Sequence, residues 1–240
     1  MELLDQLAAD GPRLADAAAR ADWDAPVPDT EWRLRDLVTH VGGVHRWATE
    51  IVSTGSPGPD VASGAVVGTG PDDGDLLDWF RDGHAALVVA LRAAPDDLSC
   101  FTFLPADSPR HFWLRRQAHE TAIHRLDAER SAGVRTPFPA DFAQDGIGEI
   151  VGGFAGRPRR RVDRDAALRL AAPDGPSWLI RFSPGRIEGS PGGDTELADA
   201  TVRGTSDELY RWLWNRGPAE VEGDAAVAEL WGRAVRVTWS

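Results

Sequence analysis

Lysine is absent from this chain, and cysteine occurs once, at Cys100. A lone thiol excludes an intramolecular disulfide and fits a reducing cytoplasm. Without lysine, all 26 basic residues are arginine; amid abundant alanine, glycine and proline this reads as the codon bias of a GC-rich bacterial genome. Positive charge is scarce, because 38 acidic residues leave a net charge of −12. That balance argues against nucleic acid as a partner, since phosphate binding needs a basic surface. No apolar run approaches the roughly 18–20 residues of a membrane span. The opening MELLDQLAADGPR also lacks the basic-then-apolar order of a signal peptide.

What remains is ordinary for a soluble globular protein: 240 residues, 42% hydrophobic and 27% charged, enough for one large domain or two small ones. The pattern changes character near residue 145, which predicts domains over 1–145 and 146–240. In the first, Leu3, Leu4, Leu7 and Leu14 recur at helical spacing. After Pro26 and Pro28, Thr30 is placed to cap a helix over about 32–52. Its stripe is Leu34, Leu37, Val38, Val41, Val44, Ala48 and Ile51. The stretch from Gly55 to Gly74 reads as a loop. Further helices are expected over about 76–93 and 112–131, which makes a four-helix bundle.

Beyond 145 the segments shorten. Ala167–Ala171, Ser177–Phe182, Arg186–Glu188 and Ala200–Arg203 read as strands between Gly/Pro turns. TSDELYRWLWNR reads as a capped helix, DAAVAELW as another, and RAVRVTWS as a closing strand. The fold class expected is α+β, with a helical bundle followed by a small α+β domain.

The bundle's last helix contains RRQAHETAIHRLDAE, residues 115–129, which approximates the zinc-protease pattern H-E-x-x-H with one residue too many. Residues four apart on a helix differ by about 40° and share a face, whereas residues five apart diverge by about 140°. Glu120 and His124 are therefore neighbours and His119 points elsewhere, so the protease reading fails. A carboxylate–imidazole pair able to hold one metal ion survives, with Trp113 and Gln117 on the same side. The plain alternative is an i, i+4 pair on a solvated face. An exchangeable zinc site takes three protein ligands. LVTHVGGVHRW offers His40 and His45 on opposite shoulders of the apolar stripe, and periodicity does not choose between them. His84 and His111 are further candidates.

Two segments carry a resemblance. W-x-L-x-D-L-V-x-H-V-G-G-V-H-R-W (Trp32 to Trp47) and W-L-R-R-x-A-H-E-T-A-I-H-R-x-D (Trp113 to Asp127) resemble the mycothiol-dependent maleylpyruvate isomerase family. That actinobacterial family belongs to the wider DinB/YfiT-like zinc-binding four-helix bundles. GTSDELYRWLWNRGPAEVEGDAAVAELW is similar to its second, sterol-carrier-protein-like domain. The resemblance implies metal ligands at His40, Glu120 and His124, with His119 outside the metal's immediate ligands. It also implies mycothiol as thiol cofactor and a catalytic arginine in the second domain, carried here to Arg216, with Arg211 as the alternative. The plain reading of Arg216 is a helix C-terminal arginine favoured by the dipole.

The implied chemistry is that of a zinc-bound thiolate attacking a small, anionic electrophile. Addition, rotation and elimination would isomerise a cis-enedioate, and addition alone would be S-transfer. Cys100 has no basic neighbours to lower its pKa and reads as a packing residue, so the sulfur is expected from the cofactor. RPRRRVDR (Arg157 to Arg164) reads as a solvated linker. The rival class is a non-catalytic sensor or carrier, in which a fourth protein ligand such as His45 or His84 would close the metal site.

Overall fold

The computed structural model describes residues 2–57, 69–157, 162–193 and 196–235. The chain forms two compact units, residues 1–136 and 137–240. In the first, α1 (Leu3–Ala18), α2 (Leu34–Thr54), α3 (Asp73–Ala93) and α4 (Pro109–Ser131) form a ring. α1 and α2 each pack against both α3 and α4. The apolar stripes meet as the spacing predicts: Leu14, Leu34, Leu37, Val38, Val41, Leu76 and Phe80 share one core. At α2 the cap differs from expectation. Thr30 accepts from Trp32 N at 3.1 Å and so builds the turn before the helix. Asp36 Oδ2 instead accepts from Arg33 N, at 2.8 Å, at the helix start. Gly55, at φ 64°, ends the helix in the left-handed conformation that glycine adopts without strain.

α4 starts where Ser108 Oγ accepts from His111 N, at 3.2 Å, with Pro109 in the first turn. It is not an amphipathic surface helix. Nearly every side chain from Phe112 to Glu129 is buried, charged ones included.

The second unit holds α5 (Ala140–Glu149), continued by a π-helical turn (Ile150–Phe154), and a five-stranded sheet. Its strands are β1 (Ala166–Ala171), β2 (Trp178–Ser183), β3 (Arg186–Pro191), β4 (Ala200–Arg203) and β5 (Glu220–Gly223), in the order β3-β2-β1-β4-β5. β1 and β4 are parallel and the other pairs antiparallel. α6 (Ser206–Leu213) and α7 (Ala225–Ala234) follow β4 and β5. The capped helix read from TSDELYRWLWNR is α6: Thr205 and Glu208 exchange side-chain and backbone bonds.

Three differences from the sequence reading have local causes. The unit boundary falls at 136/137 rather than 145/146, because Phe138 and Phe142 pack on Tyr210, with centroids 5.1 and 6.2 Å away. Strand β5 lacks an apolar alternation, since all four residues are exposed at the sheet edge. Arg233 and Ala234, assigned to a closing strand, belong to α7, and residues 236–240 lie outside the described residues. So do residues 58–68 of the expected loop and 158–161 of the linker. Among the described residues no helix is long and apolar enough to cross a membrane.

Candidate metal centre

One turn apart on α4, Glu120 and His124 project together, and α2 brings His40 to meet them. His40 Nε2 lies 3.3 Å and His124 Nε2 3.2 Å from the same oxygen, Glu120 Oε1. Ligand atoms of all three residues lie within 4.8 Å of one another, and all three side chains are buried. The spacing is informative. Bonds of about 2.0–2.1 Å to a tetrahedral ion set neighbouring ligand atoms about 3.3 Å apart. The donor set, two imidazoles and one carboxylate, is one that zinc accepts.

Two further side chains on α4 orient these groups. Asp127 Oδ2 accepts from His124 Nδ1 at 3.1 Å, which turns Nε2 towards Glu120. Arg116 Nη2 donates to Glu120 Oε2 at 3.2 Å. Trp32, just before α2, covers the imidazoles, its ring 4.8 Å from His40 and 5.9 Å from His124.

The electrostatics follow from this packing. Burial pushes Glu120 upward. Hydrogen bonds from His124 and His40, with the charges of His124 and Arg116, overcome it and hold the carboxyl well below its usual range. Burial likewise opposes charge on His124, yet the bonds to Asp127 and Glu120 push it up to about 9. His40 is lowered, chiefly by burial and despite its bond to Glu120. Without metal, then, one proton sits on His124 and His40 is neutral.

The other histidines are elsewhere. His45 Nε2 meets Thr121 Oγ1 at 2.9 Å, and its ring lies against Phe80 and His84. Burial and then His84 keep its pKa well below the usual value. His84 Nε2 donates to Leu7 O at 3.0 Å. His111 is exposed in the first turn of α4, and His119 is fully buried outside the converging set. Trp113, expected beside Glu120, packs instead among Trp47, Phe103 and Phe112. Gln117 is buried. Cys100 is not activated: burial pushes its thiol up, against a weaker contribution from Trp113.

In the second unit, α6 ends in a Schellman cap. Asn215, at φ 59°, is the left-handed residue, Asn215 N donates to Trp212 O, and Arg216 N donates to Arg211 O. Arg216 thus follows a fixed turn, its Nη1 donating to Trp214 O at 3.0 Å. Arg211 is paired with Asp207 at 3.1 Å.

Sequence reasoning missed Asp127, Arg116 and Trp32. The first two carry a readable signal, being three residues after His124 and four before Glu120, on the same helical face. Trp32 does not, because a residue outside the helix has no face to count from.

Two family models match the chain: the mycothiol maleylpyruvate isomerase N-terminal domain over residues 4–129, and the MDMPI C-terminal domain over residues 137–233. By fold the chain is similar to the crystal structure of the mycothiol-dependent maleylpyruvate isomerase. The TM-score is 0.61 at 17% identity, covering 92% of this chain and 93% of that one. A histidine-to-alanine mutant gives a TM-score of 0.62 with the same identity and coverage. No curated protein sequence matches significantly.

Proposed function

We propose, because this chain belongs to the mycothiol maleylpyruvate isomerase family, that it is a metal- and thiol-dependent enzyme acting on a small anionic electrophile. The metal is zinc, held by His40, Glu120 and His124, and the thiol is mycothiol. The reaction is isomerisation of a cis-enedioate such as maleylpyruvate, or S-transfer to a related acceptor. The single observation that carries this reading is the placement of two imidazole nitrogens 3.2 and 3.3 Å from one carboxylate oxygen, the edge length of a zinc tetrahedron.

Zinc bound there would hold a coordinated thiol as its thiolate at neutral pH. The chain's own residues do the rest. Asp127 keeps the His124 Nδ1 proton, so that Nε2 presents a lone pair. The indole of Trp32 shields the imidazoles from water on one side. Arg216 is assigned to the substrate carboxylate on the family resemblance, with Arg211 as the alternative, because arginine offers a permanently charged fork. The lone cysteine suits a cytoplasmic location.

The rival sensor or carrier reading needs a fourth protein ligand. His45 and His84, its two candidates, are engaged with Thr121 and Leu7 O, which favours an exchangeable position. The test is metal content followed by turnover. Wild type should carry about one zinc per chain and convert maleylpyruvate only when mycothiol and metal are both present. Glu120→Ala and His124→Ala should lose the metal, while His119→Ala retains it. Stoichiometric zinc with no mycothiol binding would favour the carrier; metal loss in His119→Ala alone would overturn the ligand set.

A further inference from the structure

The two oxygens of Glu120 have different surroundings. Oε1 faces the imidazole nitrogens of His40 and His124. Oε2 accepts from Arg116 Nη2 at 3.2 Å, one turn back on the same helix. Both partners are buried, with exposures of 1% and 3%, so bulk water does not replace the guanidinium.

A carboxylate can give a metal one oxygen or both. If Glu120 gave both, then with His40 and His124 the protein alone would supply four donor atoms, and an exogenous ligand would have to enter as a fifth. We propose that Arg116 is a positioning residue that keeps Glu120 a one-oxygen donor and thereby preserves a coordination position for a thiol. Turning Oε2 to the metal would break the bond it accepts from this buried guanidinium, a costly change within a buried pair. The i, i+4 spacing places both partners of the restraint on one helix. This inference rests on the metal reading above.

Cobalt(II) substitution tests it without an activity assay. A four-coordinate cobalt site lacks an inversion centre and absorbs strongly in the visible, and a higher coordination number weakens those bands. Wild type should show the strong bands and, with 2-mercaptoethanol, a sulfur-to-cobalt charge-transfer band in the near ultraviolet. Arg116→Met removes the donors while leaving an apolar stem of similar length. It should keep the metal, lose band intensity severalfold, and need at least about tenfold more 2-mercaptoethanol for half-saturation. Wild-type bands and wild-type thiol affinity in folded, loaded Arg116→Met would overturn the proposal. Should that variant not fold by circular dichroism, X-ray absorption on zinc-loaded wild type decides: one carboxylate oxygen in the shell supports the proposal and two overturn it. A wild type that takes up no cobalt removes the metal reading and this inference with it.

Discussion

At the scale of the residue, the centre is a set of charges buried in each other's company. His124 is the group whose charge the metal must displace. In the metal-free protein its pKa stands at about 9, above the ordinary 6.5, because Asp127 and Glu120 outweigh the penalty of burial. A metal ion must displace that proton, so loading near neutral pH should release about one proton per site. Apparent affinity should rise about tenfold per pH unit up to about pH 9. Calorimetry in buffers of different ionisation enthalpy measures both, and an affinity flat from pH 6 to 8 would contradict the assignment. The same shift has a stability consequence of opposite sign. A raised histidine pKa stabilises the metal-free fold fully below about pH 6.5, and that contribution is lost as pH rises through about 9. Metal-free protein should therefore melt lower at pH 9 than at pH 6.5.

Arg216 belongs to the same scale. If its fork holds the substrate carboxylate, Arg216→Ala should leave metal content and fold intact. Turnover should fall about 30- to 1000-fold, equivalent to roughly 2–4 kcal/mol of lost transition-state stabilisation. Arg216→Lys should recover only part of this, since a point charge does not reproduce the fork. Steady-state turnover of maleylpyruvate with mycothiol measures it. Unchanged turnover in the alanine variant would move the role to Arg211.

At the scale of the element, α4 explains why a charged segment lies inside a bundle. Its acidic and basic groups are paired with one another: Arg116 with Glu120, His124 with Asp127, and Arg125 with Glu129 and with Asp10 of α1. The helices around it approach closely where glycine allows. At Gly11 of α1 a Cβ would lie 2.3 Å from the His84 ring, and at Gly42 of α2 it would lie 2.1 Å from Trp79. Gly11→Ala must therefore displace His84 and disturb its bond to Leu7 O. We expect a loss of about 1–3 kcal/mol by urea denaturation. Metal occupancy should be retained, because neither α1 nor α3 contributes a ligand. The strength of the apolar stripes decided what was legible here. α2 reads correctly because Leu34 to Ile51 repeat on one face. β5 was not legible because Glu220–Gly223 has no buried face to leave a pattern.

At the scale of the molecule, the two units are separable in sequence. The ligands His40, Glu120 and His124 all precede Thr136, and the segment after α4 is tied back to it. Arg125 Nη1 donates to Thr136 O at 2.8 Å, and Glu129 Oε2 accepts from Thr136 N at 2.7 Å. A fragment of residues 1–136 should fold as a helical bundle and bind about one divalent ion. Circular dichroism and metal analysis check this, and an unfolded or metal-free fragment would show that the bundle depends on the second unit. The expected boundary at 145 would have carried Phe138 and Phe142 into the fragment, exposing rings that pack on Tyr210.

The sequence by itself determined the α+β class, the four bundle helices, four of the five strands among the described residues and the pairing of Glu120 with His124. All of these rest on periodicities within one segment, where 3.6 residues per turn or alternation along a strand relates neighbours directly. Spacing alone left His40 and His45 equivalent, because the face a shoulder residue meets depends on which helix lies beside it. The family resemblance implied His40, and the tertiary structure supplies the physical reason. Packing α2 against both α3 and α4 turns His40 to Glu120 and His45 to Thr121 and His84, and puts Asp127 and Arg116 in the interior as the groups that orient the centre.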